Sequence, residues 1–240
     1  MTTPDALGTT NAYEQVRAAI VENRYAPGQR LIEQRIAAEL GLSRTPVREA
    51  LRILEAEGLV VSVRNRGAIV RPLSPTEVGD LYGLRIRLES YAAELAAERI
   101  TDDELAALVD AADEFGAVRH DVDITTIEGV RRLNEANRRV HDCILAAARH
   151  DRLATMLART VDIPLVFQAF RSFGPREIER SDTFHHLIVD AIGRRDGARA
   201  GALMAEHIAQ GRDAVLDALT PGPHLSVAAD DRHPGDPTTG

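Results

Sequence analysis

Three arginines at a spacing of four residues form the first pattern that could do chemistry. Arg44, Arg48 and Arg52 stand at i, i+4 and i+8. On an α-helix they would span about 80° of the surface, because each residue turns the helix by about 100°. A guanidinium group can donate two parallel hydrogen bonds to guanine or to a phosphate. The pattern therefore favours contact with nucleic acid, although the face could also be solvated and Arg52 could pair with Glu49 or Glu55.

A second group of polar residues, in the later half of the chain, could bind a metal ion. Asn137 and His141 are four residues apart, so both side chains would leave one face of a helix. His185 or His186 opens an apolar helical run, and His207 lies within another. Neutral imidazoles together with an oxygen ligand suit Zn²⁺, Ni²⁺ or Mn²⁺. The spacing alone leaves open whether these histidines share one site or are separate hydrogen-bonded side chains.

Arg85 is a candidate for binding an anionic ligand. It precedes Glu89 by four residues on a predicted helix. A guanidinium group can hold a carboxylate through two parallel hydrogen bonds, but an ion pair with Glu89 is equally compatible with the spacing. The aromatic residues Tyr82, Phe167 and Phe170 could line a pocket, although filling of the core is the favoured interpretation.

The arginine pattern lies on the third of three predicted helices. Residues 1–10 are polar and are expected to be disordered. A capping-box pattern that begins at Asn11 predicts the first helix, and apolar residues at helical spacing predict a second over residues 32–40. Gly41 follows the second helix, where a residue in the left-handed conformation would end it. Ser43 or Thr45 can cap the third helix, where their hydroxyl groups could also help to bind a phosphate.

A β-hairpin is predicted directly after these helices. Two β-rich runs, at 59–63 and 68–72, flank a short basic loop that ends in Arg66 and Gly67. Such a loop could enter the minor groove of DNA or lie along its backbone. Three helices followed by a hairpin predict a winged helix-turn-helix over residues 11–72.

The remainder of the chain has a helical pattern. Residues 73–219 predict an antiparallel bundle of six helices, since no strand pattern occurs there. Capping boxes at Ser74 and Thr101 mark the first two helices, and Pro164 is expected to kink or split the fourth. Residues 220–240 contain four prolines and no apolar periodicity, so they are expected to be a disordered tail. The predicted fold is mainly α-helical.

Composition and charge limit the class of protein. The 240 residues favour two domains, and no apolar run reaches the roughly 18 residues of a membrane span. A single cysteine and the lack of a signal-peptide pattern favour the cytoplasm. The net charge of −8 is uneven: residues 1–72 hold 10 Arg against 8 acidic residues (+2), and residues 73–240 hold 19 against 29 (−10). A basic face on an acidic body fits a DNA-binding protein.

The run PGQRLIEQRIAAELGLSRTPVREALRILEAEGLV, residues 27–60, closely resembles the winged-helix domain of the GntR family of bacterial transcriptional regulators. The block SRTPVREAL at 43–51 is specific to that resemblance. The following residues resemble the all-helical FCD domain of the FadR-like branch. Because six helices are predicted rather than seven, the domain is more similar to the VanR-type group of that branch. The resemblance implies a homodimeric regulator, most often a repressor, that binds a palindromic DNA operator and responds to a small metabolite.

The resemblance also assigns contacts with DNA. The main contacts of the family fall on Arg44, Thr45 and Arg48. The family often has arginine at a further contact on the second helix, where this chain has Gln34 with Arg35 beside it. The resemblance also places a wing contact near Arg66 and Gly67. With Ser43, which is expected at the start of the helix, the predicted DNA-binding residues are Gln34, Arg35, Ser43, Arg44, Thr45, Arg48, Arg66 and Gly67.

Many FCD domains hold a divalent metal with an Asp or Asn, a His four residues later, and one His from each of two later helices. These positions match Asn137, His141, His185 and His207. His185 is preferred to His186 because it stands seven residues before Ile192, as in the H-x5-A-I pattern of the family. Asn137 is neutral where the more strongly binding variant is Asp, so a weaker or exchangeable metal is expected.

The leading hypothesis is a regulator in which a small organic acid meets the metal and Arg85. Binding would then change the placement of the two DNA-binding units through the linker at 72–75. One alternative is a metal-dependent enzyme that uses the same histidines, and another is a regulator that senses the metal itself. No H-x-E or H-E-x-x-H pattern supplies a general base, and an enzyme would leave the arginine helix unexplained.

Overall fold

The computed structural model describes residues 4–22, 24–63, 67–72, 74–160, 169 and 172–219. Within these ranges it contains nine helices and three short strands. The helices are α1 (Pro4–Val21), α2 (Glu33–Leu40), α3 (Arg44–Ala56), α4 (Pro75–Arg99), α5 (Asp102–Asp121), α6 (Ile127–Ala148), α7 (Asp151–Thr160), α8 (Pro175–Gly193) and α9 (Gly197–Leu219). The strands are β1 (Arg30–Leu31), β2 (Val60–Val63) and β3 (Gly67–Val70).

One hydrophobic core joins α1, α2, α3 and the strands into the winged helix-turn-helix that the sequence predicts. The buried side of α3 carries Val47, Leu51 and Leu54, which pack with Val16 of α1 and Ile36 of α2. Burial of this apolar stripe fixes the rotation of α3 about its axis. The opposite side, which carries the arginines, is therefore turned toward solvent.

The first helix is longer than predicted. Helix α1 begins at Pro4, so the expectation of disorder over residues 1–10 is wrong for residues 4–10. Proline is favoured in the first turn of a helix, and Gly8 lies close to the ring of Pro46, so packing against α3 supports the added turns. Asn11 lies within the helix, where it accepts a hydrogen bond from Gln15 instead of capping the start.

The ends of α2 and α3 follow the sequence closely. Gly41 ends α2 in the left-handed conformation, with φ of 67°, as predicted. Ser43 is the N-cap residue of α3 by its extended backbone, although its side chain makes no capping hydrogen bond. The phosphate-binding role expected for the Ser43 hydroxyl is therefore compatible with its geometry.

The predicted hairpin is part of a three-stranded antiparallel sheet. The strand order is β1-β3-β2, in which Ile69 of β3 lies opposite both Arg30 and Val61. The sequence did not predict β1, because two residues are too few to show a strand pattern. The predicted wing tip at Arg64–Arg66 lies outside the described residues.

Gly67 allows β1 to approach the wing closely. Its φ is +85°, and a Cβ atom there would overlap the carbonyl oxygen of Leu31. We expect Gly67→Ala to lower the free energy of unfolding by about 3 kcal/mol in urea denaturation. Gly41→Ala is the matched control, because Gly41 also has positive φ but nothing within 4 Å, and should cost only about 1–2 kcal/mol. Equal losses of unfolding free energy in the two variants would show that β1 moves away from the added methyl group without cost.

The second unit is a helical bundle built from α4 to α9. Its core includes Leu108 of α5, Ile144 of α6, Ile188 of α8 and Met204 of α9. The capping boxes at Ser74 and Thr101 are both present. Helix α6 begins at Ile127, where Thr126 accepts a capping hydrogen bond from Gly129. Pro164 and the tail at 220–240 lie outside the described residues.

Helix α1 also contacts the bundle. Val21, at its last turn, packs in one cluster with Phe115 of α5 and with Val130 and Leu133 of α6. The same helix therefore contributes to the core of the winged helix-turn-helix and to that of the bundle. None of the helices in the described ranges has the length and the apolar character that a transmembrane helix requires.

Candidate nucleic-acid interface and metal centre

The arginine face of α3 is exposed, as the sequence predicts. The side chains of Arg44, Arg48 and Arg52 are 60%, 47% and 65% exposed. They border a groove between α2, α3 and the wing, which also includes Gln34 and Gly67. A helix that offers guanidinium groups along such a groove has the shape and charge to lie against duplex DNA.

Three other residues with predicted DNA contacts differ in their surroundings. Thr45 is exposed at the start of α3, where it can reach a phosphate. Arg35 does not border the groove and instead pairs with Glu39 of its own helix at 3.0 Å. Arg66 lies outside the described residues. Of the two candidates on α2, Gln34 is thus the better placed for DNA.

Glu33 is a groove residue that the sequence analysis missed. Its carboxylate accepts hydrogen bonds from Arg48 Nε at 3.1 Å, Arg48 Nη2 at 3.0 Å and Arg44 Nη2 at 3.3 Å. The hydrogen bond from Arg48 is the main reason that the pKa of the Glu33 carboxyl is lowered. Its separation of 11 and 15 residues from the two arginines gives no local signal, because only the turn between α2 and α3 brings them together.

The structure brings three of the predicted metal ligands into one cluster. His141 of α6, His185 of α8 and His207 of α9 each offer a ring nitrogen, and these atoms lie within 4.8 Å of one another. The Nε2 atoms of His141 and His207 are 3.2 Å apart. His186 lies elsewhere, with Nε2 at 3.2 Å from Asp113. The choice of His185 over His186 thus agrees with the position of the cluster.

Glu89 orients the cluster from α4, which the sequence analysis did not foresee. One carboxylate oxygen contacts His141 Nδ1 at 2.7 Å, and the other accepts a hydrogen bond from Arg85 Nε at 2.8 Å. A proton on His141 Nδ1 leaves its Nε2 lone pair available to a metal. Burial alone would raise the pKa of Glu89, but the charge of Arg85 and the contacts with His141 and Arg85 outweigh it and lower that pKa to about 2.

Several polar atoms of the cluster lack hydrogen-bond partners among the described residues. They are Asn137 Oδ1, His185 Nδ1 and Nε2, and His207 Nδ1. Burial, more than the neighbouring imidazoles, lowers the pKa of His185 well below its usual value and that of His207 to about 3, so both are neutral at pH 7. Buried polar atoms without partners are costly, and a divalent cation could take one lone pair from each of these three residues. The residues present therefore fit a metal.

A cavity of about 310 Å³ opens beside the cluster, between α4, α6, α7 and α9. One end is polar and includes Arg85, Glu89, Asn137 and His141. Tyr82 fills the core instead, with 1% exposure, as favoured from the sequence; Phe167 and Phe170 lie outside the described residues. The rest of the wall is mainly apolar and includes Ala92, Ile144, Leu145, Ala154, Leu157, Ala158 and Met204.

Comparison with known families matches both units of the chain. Residues 9–70 match the family model of bacterial regulatory proteins of the gntR family, and residues 80–210 match that of the FCD domain. The chain belongs to the GntR family. In this GntR protein, the two matched ranges correspond to the winged helix-turn-helix and to the helical bundle that carries the histidine cluster. The VanR-type assignment stays a prediction.

Relatives of this GntR protein are transcriptional regulators. It is 28% identical over 202 residues to the Nta operon transcriptional regulator of Aminobacter aminovorans, over 83% of this chain and 90% of that protein. It is 39% identical over 87 residues to the gluconate operon transcriptional repressor of Bacillus subtilis (strain 168), over 36% of this chain and 35% of that protein. The solved structure of E. coli McbR/YncC shares the fold, with a TM-score of 0.71 and 22% identity over 89% of this chain and 99% of that one.

Proposed function

We propose that this GntR-family regulator is a homodimeric repressor that binds a palindromic operator and loses affinity for it when a small organic acid binds beside a divalent metal in the FCD domain. The observation that carries the proposal is a cluster of three histidines, two of them buried, that borders a cavity of about 310 Å³. Repressors among the curated relatives, such as the gluconate operon repressor, support the direction of regulation. The predicted cytoplasmic location is consistent with this role.

DNA recognition is assigned to α3 and the wing. Arg44 and Arg48 would contact base edges, because arginine can donate two hydrogen bonds to guanine in the major groove. Ser43 and Thr45 would contact phosphates at the start of the helix. Secondary contacts would come from Gln34 on α2 and from Arg66 and Gly67 on the wing. Operator affinity should then fall steeply with salt, because phosphate contacts release bound cations.

The metal would be held by His141, His185 and His207, with Asn137 as an oxygen ligand. Zn²⁺, Ni²⁺ and Mn²⁺ suit such a ligand set, and each would supply a positive charge that attracts a carboxylate. Glu89 holds His141 in the tautomer that leaves Nε2 available. The protein groups therefore orient the site before a ligand arrives.

The shape and charge of the cavity favour a carboxylate with a compact apolar body. At about 30 Å³ for each water molecule, its volume equals roughly ten waters, so the ligand would be small. Within the polar end, the charges of Arg85 and Glu89 cancel, and a bound divalent cation would leave the site positive. Arg85, held in place by Glu89, would contact the carboxylate. The apolar walls suit a hydrocarbon portion better than a chain of hydroxyl groups.

Helix α6 offers a route from the cavity to the DNA-binding unit. Asn134 and Arg138 border both the cavity and a groove between α1 and α6. Val21 of α1 packs against Val130 and Leu133 of the same helix. A ligand that binds more tightly to one position of α6 than to another would therefore change the placement of α1 and, through it, of α3. This route through α6 would act together with the linker at 72–75, which the sequence analysis expects to transmit ligand binding to the DNA-binding units.

The test combines selection of DNA with a search for the ligand. A duplex would first be selected from random sequences by the full-length protein, and its affinity measured by gel shift. Small carboxylic acids would then be titrated with Zn²⁺ present and with a chelator present. We expect weaker operator binding only with acid and metal together. A response to metal alone would favour the metal-sensing alternative, and failure to select any duplex would contradict the proposal.

Asn137 offers a separate test of the metal site. Asn137→Asp places a negative charge at the ligand position without a change of size, so metal affinity should rise roughly tenfold, as expected for a group that tunes a metal site. Isothermal titration with Zn²⁺ would measure the change. Asn134→Asp is the matched control, because it adds the same charge one turn away on α6. If the affinity for Zn²⁺ rises equally in both variants, the cause is long-range electrostatic attraction, and Asn137 is not a ligand.

A further inference from the structure

Glu33 connects the two arginines to which we assign base recognition. Its carboxylate contacts Arg48 through two nitrogens, at 3.1 and 3.0 Å, and Arg44 at 3.3 Å. The Glu33 side chain is 19% exposed, whereas both arginines are about half exposed or more. One partly buried anion on α2 therefore fixes two flexible cations on α3.

The contacts leave part of each guanidinium group available. Arginine has five N–H donors, and Glu33 occupies only the side of Arg48 formed by Nε and Nη2. The end formed by the two terminal nitrogens can still donate to the two acceptors of guanine. A base contact can therefore be made while the Glu33 contacts are kept, and the carboxylate then holds the guanidinium group in a single orientation.

Glu33 is expected to weaken the binding of DNA of any sequence. Phosphate groups attract guanidinium groups at any sequence, and Glu33 competes with them as a preformed anionic partner. Its negative charge also faces the groove that borders α3, where it repels the DNA backbone. Both effects weaken binding to every duplex, but only the correct bases give a compensating bidentate contact.

We infer that Glu33 is a positioning residue that gives this regulator its preference for operator over other DNA, by holding Arg44 and Arg48 ready for base contacts and away from phosphates. The inference rests on the proposed role of α3 in DNA recognition. It adds a residue that makes no direct contact with a base. A role limited to the stability of the turn between α2 and α3 would instead change binding to all duplexes equally.

The experiment compares two charge-removing variants of the full-length protein. Glu33→Gln removes the bridging anion, and Glu49→Gln removes an anion that accepts a hydrogen bond from Arg52, at 2.9 Å on the same helix, and not from Arg44 or Arg48. Dissociation constants would be measured by fluorescence anisotropy at several salt concentrations. The probes are the duplex selected by the wild-type protein and a scrambled duplex of equal length and composition. Thermal unfolding of each variant would confirm that it is folded.

Glu33→Gln is expected to bind the scrambled duplex about threefold more tightly and to lose roughly tenfold in the ratio of operator to scrambled affinity. Glu49→Gln should keep that ratio within about twofold of wild type. Glu33→Asp, which keeps the charge but is one methylene shorter, should also lose selectivity, because it cannot reach both arginines.

An unchanged ratio in Glu33→Gln would overturn the inference. A wild-type ratio in Glu33→Asp would do so as well, since charge alone would then suffice. These results are distinct from failure of the proposed function, in which the wild-type protein itself selects no duplex.

Discussion

Replacement of both Arg44 and Arg48 with alanine is expected to reduce operator affinity about a thousandfold. Each side chain is exposed on the groove face of α3 and can make a bidentate contact to a base. At about 2 kcal/mol for each contact, the two together contribute about 4 kcal/mol. Gel shift with the selected operator would measure the loss. The slope of affinity against salt should also become less steep.

Arg152→Ala combined with Arg194→Ala is the control for the loss of two positive charges. Both residues are exposed in the bundle, Arg152 on α7 and Arg194 in the turn after α8, far along the chain from α3. This variant should keep operator affinity within about threefold of wild type, because surface charges away from an interface have small effects. If the two double variants lose equal affinity, net charge governs binding and α3 is not the recognition helix.

His185→Ala is expected to abolish stabilisation by metal. A ligand present at about 100 times its Kd stabilises the folded state by about 2.7 kcal/mol. In a protein of this size that corresponds to a rise in Tm of about 5–10 °C, measured as the difference between Zn²⁺-loaded and chelator-treated protein. The variant should show almost no difference, because His185 is fully buried and its two ring nitrogens have no partner among the described residues.

His186→Ala is the matched control, since it removes the neighbouring imidazole, which contacts Asp113 and Asp182 instead of the cluster. It should keep the full metal-induced shift. His141→Ala provides a second test if the buried replacement at His185 prevents folding, because His141 is only partly buried. Retention of the shift in both His185→Ala and His141→Ala would place the metal elsewhere.

Elements with local signals were predicted well from the sequence. Capping boxes at Ser74 and Thr101 and the left-handed glycine at Gly41 fixed helix ends, because each depends on residues within one turn. The amphipathic pattern of α3 predicted which side faces solvent. Helix α1 was the exception: its early turns lie against α3, where Gly8 is close to Pro46, 38 residues away in the chain.

Partners within the sites could be predicted only in part. Spacing and family resemblance selected His141, His185 and His207, which the fold brings together from three helices. Neither could identify Glu89, whose contact with His141 spans 52 residues, or Glu33, whose role depends on the angle between two helices. Such contacts form only when the helices pack together, and a pattern along the chain does not predict them. Arg85 was predicted with both alternatives open, and the structure contains its ion pair with Glu89.

The position of Val21 has a consequence for protein engineering. This residue belongs to the core of the bundle, yet it is the last residue of a helix whose earlier turns complete the core of the DNA-binding unit. A cut at the linker near residue 72 therefore separates the two units in the chain but leaves half of a shared interface on each product. Chimeric biosensors that exchange the FCD domain would have to carry over a matching surface for Val21, and natural recombination between such regulators would meet the same constraint.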